Sequence, residues 1–301
     1  MEKTDYIEEC SQCGYRKLRN KNGNCGRYLA HDGFPAKCTS FWAGIKRKAV
    51  DVYSGIFVGS MKAKWTLNYL DLYAGPGKYF DRSTGQLLDS SALIALKYDY
   101  NRIILNDLDN ENYDALFFRT NDDKDRISIF NVDANKIESE IAKYMGTGTL
   151  SFCFLDPSNM NDLSFETVKA ISKGRRVDFL INFAFGMDFR RFKHMSERKL
   201  SSYDGFFGTN RWRAIVQKFE NGDIQSLGKA ILDLYFDQLE SIDYLRPNDS
   251  IMHLTSYRVH NSKKTLLYYL ILASKHSRGN EFFAKIRPYV EQQQELFNRP
   301  N

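Results

Sequence analysis

The sequence predicts an α/β fold: a central, mostly parallel sheet with helices on both faces. The first observation behind this is an alternation of short apolar runs with helical patterns between residues 67 and 183. The second is that these runs end in acidic or glycine-rich turns, the places where open α/β sheets bind ligands. The third is a late pair of β-rich runs that reads as a hairpin closing the sheet edge.

A helical pattern opens the body of the chain over 41–65, with Ile45, Val50, Val52, Ile56, Met61 and Trp65 on its apolar positions. Strands are expected at 67–72, 102–105, 127–131, 150–155 and 177–183, and helices at 91–97, 111–118, 135–144 and 165–172. This order implies right-handed crossovers. After Phe183 the rhythm changes to helices at 209–220 and 224–239, an insertion of about 187–245. The hairpin runs are 251–259 and 265–274, followed by a helix over 281–296 that Pro288 is expected to kink or split.

The most informative stretch is Asp71-Leu72-Tyr73-Ala74-Gly75-Pro76-Gly77 at the end of the first of these strands. Gly75 and Gly77 allow a sharp turn and a close backbone approach to a ligand. No Gly-Lys-Ser/Thr follows, so the turn is not a phosphate loop, and Tyr73 and Tyr79 stand where a dinucleotide fingerprint wants glycine. A nucleotide-like cofactor is the expectation; a plain strand-to-helix turn is the alternative. Asp107 and Asp109 end the second strand, where an acid accepts hydrogen bonds from ribose hydroxyls or caps a helix. Asp133-Ala134 ends the third, suited to an adenine amino group or to another cap. The fourth ends at Asp156-Pro157-Ser158-Asn159 and the fifth at Asn182-Phe183-Ala184-Phe185-Gly186. The stretch 80–90 reads as a loop over the cofactor.

Cys10, Cys13, Cys25 and Cys38 fall early, in the pattern C-x2-C-x11-C-x12-C. Four clustered thiols suggest structural Zn²⁺, with His31 able to replace Cys25 or Cys38. Residues 1–40 are therefore expected to form a small cysteine-rich, zinc-finger-like segment, and 41–301 the main domain. Cys153, in an apolar strand, reads as core. The N-terminus is polar and no long apolar run is present, so no membrane association is expected and a cytoplasmic setting is. A net charge of +6 and pI near 8.9 permit nucleic-acid binding without demanding it.

The ordered set of strand, D-x-x-A-G-x-G, acid, D-A and D-P resembles an S-adenosylmethionine-dependent methyltransferase with its Rossmann-like fold. More narrowly, Y-L-D-L-Y-A-G-P-G-K, F-L-D-P at 154–157, D-F-L-I-N-F at 178–183 and L-I-L-A-S-K-H-S-R-G at 270–279 look like the three-Cys-motif partner proteins (TcmP), over roughly residues 40–290. The resemblance implies S-adenosylmethionine held by Asp71, Tyr73, Ala74, Gly75, Gly77, Asp107, Asp109, Asp133, Ala134 and Asp156. Asp156 and His276 are then the catalytic candidates. Lys275, Arg278, Arg190 and Arg191 are the candidate contacts to a nucleic-acid substrate. Where amino-methyltransferases of nucleic acids carry D/N-P-P-Y/F, this chain has Asp156-Pro157-Ser158-Asn159, without the second proline and the aromatic; Phe183 or Phe185 could substitute.

The leading reading is a methyltransferase acting on nucleic acid in a mobile-element or defence context. The alternative is a non-catalytic subunit that scaffolds a nucleic-acid-processing complex with a three-Cys-motif partner. A metal-dependent nuclease using Asp71, Asp107, Asp133 and Asp156 ranks below both, because it leaves the glycine turn unexplained.

Overall fold

The computed structural model describes residues 24–82, 84–188, 197–246, 256–260 and 266–298. The strands are β1 (Asn24–Leu29), β2 (Pro35–Thr39), β3 (Thr66–Asp71), β4 (Lys78–Asp81), β5 (Gln86–Asp89), β6 (Arg102–Asn106), β7 (Ile127–Phe130), β8 (Thr149–Leu155), β9 (Val177–Phe183), β10 (Ser256–His260) and β11 (Leu266–Ala273). Seven of them form one sheet in the order β10-β11-β9-β8-β3-β6-β7. This is the α/β, Rossmann-like methyltransferase fold that the sequence implies. The chain winds outward from β3 to β6 and β7 and then returns to β8 on the other side of β3, which makes β3 the switch strand. A second sheet, β1-β2-β4-β5, was not anticipated: residues 80–90, expected as a loop, carry the end of β4 and all of β5 in an antiparallel hairpin.

Two compact units divide the chain. The first comprises Met1–Ala134, Phe152–Phe154 and Ile286–Asn301. In it, β3 pairs parallel with β6, and β6 with β7; β3 and β6 are buried along nearly their whole length, while the edge strand β7 is half-buried. Helix α1 (Phe41–Met61) lays Ile45, Ala49, Tyr53 and Phe57 into this core, at the i, i+4 spacing of one helix face. Tyr53 packs on Phe152 with ring centroids 4.5 Å apart, and Cys153 is fully buried beside them as core. Tyr100 ties its hydroxyl back to Ser54 on α1 at 2.9 Å. The short helix α2 (Ser91–Ala95) and helix α3 (Asn110–Arg119) follow β5 and β6.

The second unit comprises Asn135–Ser151 and Leu155–Lys285. The single helix expected over 135–144 is instead two 3-10 turns flanking α4 (Glu138–Ile141). The cause is local: Asn135 Oδ1 accepts from Ser164 N at 2.8 Å and from Thr167 Oγ1 at 2.7 Å, at the start of α5 (Phe165–Ser172). The interval after β9 holds α6 (Phe185–Asp188), α7 (Glu197–Phe207), α8 (Arg211–Glu220) and α9 (Leu227–Glu240). Phe183 stacks on Phe206 and Tyr235, with centroids 5.3 and 5.4 Å away. The hairpin is present, with β10 antiparallel to β11 and β11 antiparallel to β9. The last helix, α10 (Ser277–Asn298), contains Pro288. Among the described residues no helix is long and apolar enough to cross a membrane.

Candidate functional site

The C-terminal ends of β3, β6 and β7 are tied together by side chains that the sequence placed there. Asp71 is 0 % exposed. Its Oδ1 accepts the Tyr73 N–H at 3.2 Å, and its Oδ2 accepts the hydroxyls of Ser91 at 2.5 Å and Tyr69 at 3.3 Å. So enclosed, Asp71 shapes the turn from beneath. Burial first, and then the Asp71 charge, pushes the Tyr69 hydroxyl well above its ordinary pKa, as it does the Cys153 thiol.

Asp107 is half-buried. Its Oδ2 accepts the Gly75 N–H at 2.8 Å, and its Oδ1 accepts Asp109 N and Asn112 Nδ2, each at 3.0 Å. An ionised carboxylate offers about four acceptor sites, so Asp107 keeps some capacity for a hydroxyl. Asp109 caps α3 by accepting Asn112 N at 3.1 Å, the cap its alternative reading specified. Between them Leu108 is 68 % exposed. An apolar side chain open to solvent between two acids suits the flat face of a base, and sequence reasoning passed over it. Asn106, also missed, is buried and donates to Leu72 O and Val132 O at 3.1 and 3.0 Å, locking the ends of β3 and β7 onto β6. Asp133 is half-buried directly before the 3-10 turn Ala134–Lys136, with Ala134 buried.

The glycine turn itself is covered. Gly75 and Gly77 have φ of +62° and +84°, the left-handed region. A Cβ at Gly77 would meet Leu116, Leu93 and Arg119 at 3.4–3.5 Å. The Arg119 side chain is 3 % exposed. It donates through Nη1 to Pro76 O and Pro35 O, and through Nε and Nη2 to the two oxygens of Asp32 at 2.7 and 2.8 Å. This fork holds the β1–β2 turn against Gly75-Pro76-Gly77. The guanidinium beside Asp32 holds its carboxyl below the usual aspartate range. Asp32-Gly33 is itself a hairpin signal in the sequence, and Gly33 takes φ +81° there.

In the second unit, Asp156 Oδ1 accepts Asn182 Nδ2 at 2.7 Å. Asn182 is 2 % exposed and its Oδ1 is a buried acceptor without a donor. Ser158 and Asn159 are exposed, and Asn159 forms a reciprocal cap with Asp162. Neither Phe183 nor Phe185 supplies the missing stacking platform, because both are buried in the aromatic cluster around Tyr269.

The segment Lys275–Arg278 does not join Asp156. Because β11 runs antiparallel to β9, Ala273 lies opposite Phe179 while Tyr269 lies opposite Phe183. Lys275, His276 and Arg278 therefore leave the sheet at the N-terminal end of β9. Asp156 is bonded to Asn182 at the other end, roughly 10–15 Å away along the strand at ~3.3 Å per residue. Lys275 donates to Ser172 O at 3.1 Å and lies over the Tyr244 ring; His276 Nδ1 accepts Arg278 N at 3.2 Å. Gly279 packs against Ser274 where a Cβ would collide with it. The S-K-H-S-R-G run is thus a strand-to-helix turn, and it stands apart from Asp156. Arg190 and Arg191 lie outside the described residues.

Cys10 and Cys13 also lie outside them, as does the Cys25 side chain; Cys38 is buried in β2. Among the described residues no three His, Cys, Asp or Glu side chains are grouped to hold a metal.

No protein-family model and no curated protein matches the chain. The resemblance to three-Cys-motif partner proteins thus rests on the quoted motifs alone. Solved structures do match. Protein LPL1258 of Legionella pneumophila, assigned to family model DUF519, aligns with a TM-score of 0.52 at 10% identity, over 86% of this chain and 93% of its own. Cofactor-bound Rv0187 from MTB aligns with a TM-score of 0.38 at 9% identity, over 91% and 90%. An S-adenosylmethionine-dependent methyltransferase of Clostridium acetobutylicum aligns with a TM-score of 0.28 at 17% identity, over 45% and 52%. The last two are too distant in geometry to bear on this chain, and the likeness to LPL1258 is one of fold.

Proposed function

We propose that this chain is an S-adenosylmethionine-dependent methyltransferase. The observation that carries the reading is the bonded set Asp71, Gly75, Asn106 and Asp107 at the C-terminal end of the switch strand β3, where doubly wound sheets take their ligands. The donor set fits a nucleoside sulfonium. Asp107 has acceptor capacity for ribose hydroxyls, Leu108 offers an apolar face for adenine, and Asp133 an acceptor for its amino group. Tyr73, Ala74, Gly75 and Gly77 form the wall that Asp71 shapes, and Asp109 with Ala134 builds the adjoining turns. When bound, the cofactor supplies an electrophilic methyl group, and transfer then depends on positioning. In the second unit Asp156, oriented by Asn182, is the group suited to accept a hydrogen bond from a target amine or hydroxyl.

Nucleic acid is the proposed substrate class, motivated by the basic balance of the chain and by the sequence motifs. Structural Zn²⁺ on Cys10, Cys13, Cys25 and Cys38 belongs to the same reading. Elemental analysis is expected to find about one Zn per chain, as a structural site requires, with loss in a Cys10→Ser, Cys13→Ser variant.

Calorimetric titration with S-adenosylmethionine tests the main claim. The wild type is expected to bind, and a folded Asp107→Ala, Gly75→Val variant is expected to lose binding. A wild type that does not bind ends the proposal. The missing proline and aromatic after Asp156 favour a second reading, a non-catalytic subunit that works with a partner protein; undiminished activity of such a complex carrying Asp156→Ala would select it.

A further inference from the structure

Most of the backbone donors of the glycine turn are already engaged and leave little to meet an anion. The Tyr73 N–H is held by Asp71, the Ala74 N–H by Asn106 O at 3.0 Å, and the Gly75 N–H by Asp107. Pro76 has no N–H. S-Adenosylmethionine carries a carboxylate on its amino-acid end, and a carboxylate against a turn flanked by Asp71 and Asp107 needs a cation. The nearby basic groups are mostly engaged. Arg119 is bound to Asp32, and Lys78 to Asp89 at 3.1 Å.

Lys37 is not so engaged, and it is the basic side chain that reaches Gly75. It sits on β2, half-buried, with its Cδ 4.0 Å from the place a Gly75 Cβ would take. Among the described residues its ammonium has no hydrogen bond and no ion pair. The face of the small sheet that carries Lys37 is polar and incompletely satisfied. Lys37 is in register with Tyr79, and Thr39 lies two residues on, so the three share a side. Tyr79 OH and Thr39 Oγ1 are buried without a partner. Buried hydroxyls of this kind are rare in folded proteins and call for a ligand or water.

We propose that Lys37 belongs to the cofactor site and pairs its ammonium with the carboxylate of the amino-acid portion of the bound sulfonium nucleoside. The inference rests on the reading of the site as one for S-adenosylmethionine. It gives the β1–β2 hairpin a role: Asp32, clamped by Arg119, is the positioning residue that seats the hairpin, and Lys37 is the residue it delivers.

The test is calorimetric binding of two probes to the full-length chain. S-Adenosylhomocysteine carries the amino-acid end; 5′-methylthioadenosine lacks it. Lys37→Met is expected to weaken S-adenosylhomocysteine about tenfold or more, the scale of a charge-assisted contact, and to leave 5′-methylthioadenosine within about twofold. Lys37→Arg, which keeps the charge, is expected to restore most of the affinity. Unchanged S-adenosylhomocysteine binding by Lys37→Met overturns the assignment. So does an equal loss for both probes, which marks a structural role. A wild type that binds neither probe defeats the methyltransferase reading itself and takes this one with it. Should Lys37→Met melt early, Lys37→Gln repeats the comparison.

Discussion

The Asp107 carboxylate accepts the Gly75 N–H at 2.8 Å, so the end of the second parallel strand holds the glycine turn that follows the first. The same side chain accepts from Asp109 N and Asn112 Nδ2. Asp107→Ala leaves these donors to be satisfied elsewhere. The expected cost is about 1–3 kcal/mol in urea unfolding, in addition to the loss of ligand affinity. Asp107→Asn, which retains one acceptor oxygen, is expected to fall between the two.

Gly77 and Gly59 make opposite cases of the same substitution. Gly77 has φ +84° and ordinary contacts around a would-be Cβ, so Gly77→Ala is governed by backbone strain of about 1–2 kcal/mol. Gly59 lies in α1 with nothing within 4 Å of its Cβ position. Gly59→Ala is expected to stabilise by about 0.5–1 kcal/mol. Paired thermal melts check both signs.

The Asp32–Arg119 pair makes stability depend on pH in the acid range. Its hydrogen bond to Arg119 lowers the folded pKa of Asp32 below the ordinary value of 3.8. The unfolded chain therefore binds this proton first. The contribution is fully present above about pH 5 and is lost as pH falls through the unfolded and then the folded pKa. Asp32→Asn is expected to flatten the pH 2–5 portion of the stability curve measured by urea titration, while costing stability at pH 7.

Since Lys275 and His276 leave the sheet at the N-terminal end of β9, His276→Ala is expected to leave S-adenosylmethionine affinity and turnover within about twofold of wild type, as for surface changes remote from a site. A kcat loss of a hundredfold or more would restore His276 to the chemistry. Gly279→Val is the contrasting change: it is expected to destabilise the fold, because Ser274 occupies the space.

The inner strands of the main sheet were legible because they are short, largely apolar runs, and such runs belong to strands buried on both faces. Val177–Phe183 is the case in point, buried at every position. The acids at the strand ends were legible for the same reason, since a polar residue directly after such a run marks the sheet edge. The small sheet was not. Lys78–Asp81 and Gln86–Asp89 are four residues each, too short to show a period. Arg119 was hidden as the last residue of a helix, where a basic side chain ordinarily serves the helix dipole. The early start of α10 was hidden by Ser277, Gly279 and Asn280, weak helix formers retained where Gly279 must meet Ser274. Strand polarity decides from which end of the sheet His276 departs, and the sequence run alone carries no sign of direction.

The parallel pairing of β2 with β4 bears on how this protein can be dissected. Because β2 is an inner strand of β1-β2-β4-β5, a chain trimmed to begin at residue 41 would leave the β4 backbone as a raw edge, open to self-association. It would also strand the enclosed Arg119 charge without Asp32. Residues 24–39 are thus woven into the fold, and an insoluble truncation would report a broken sheet and nothing of function.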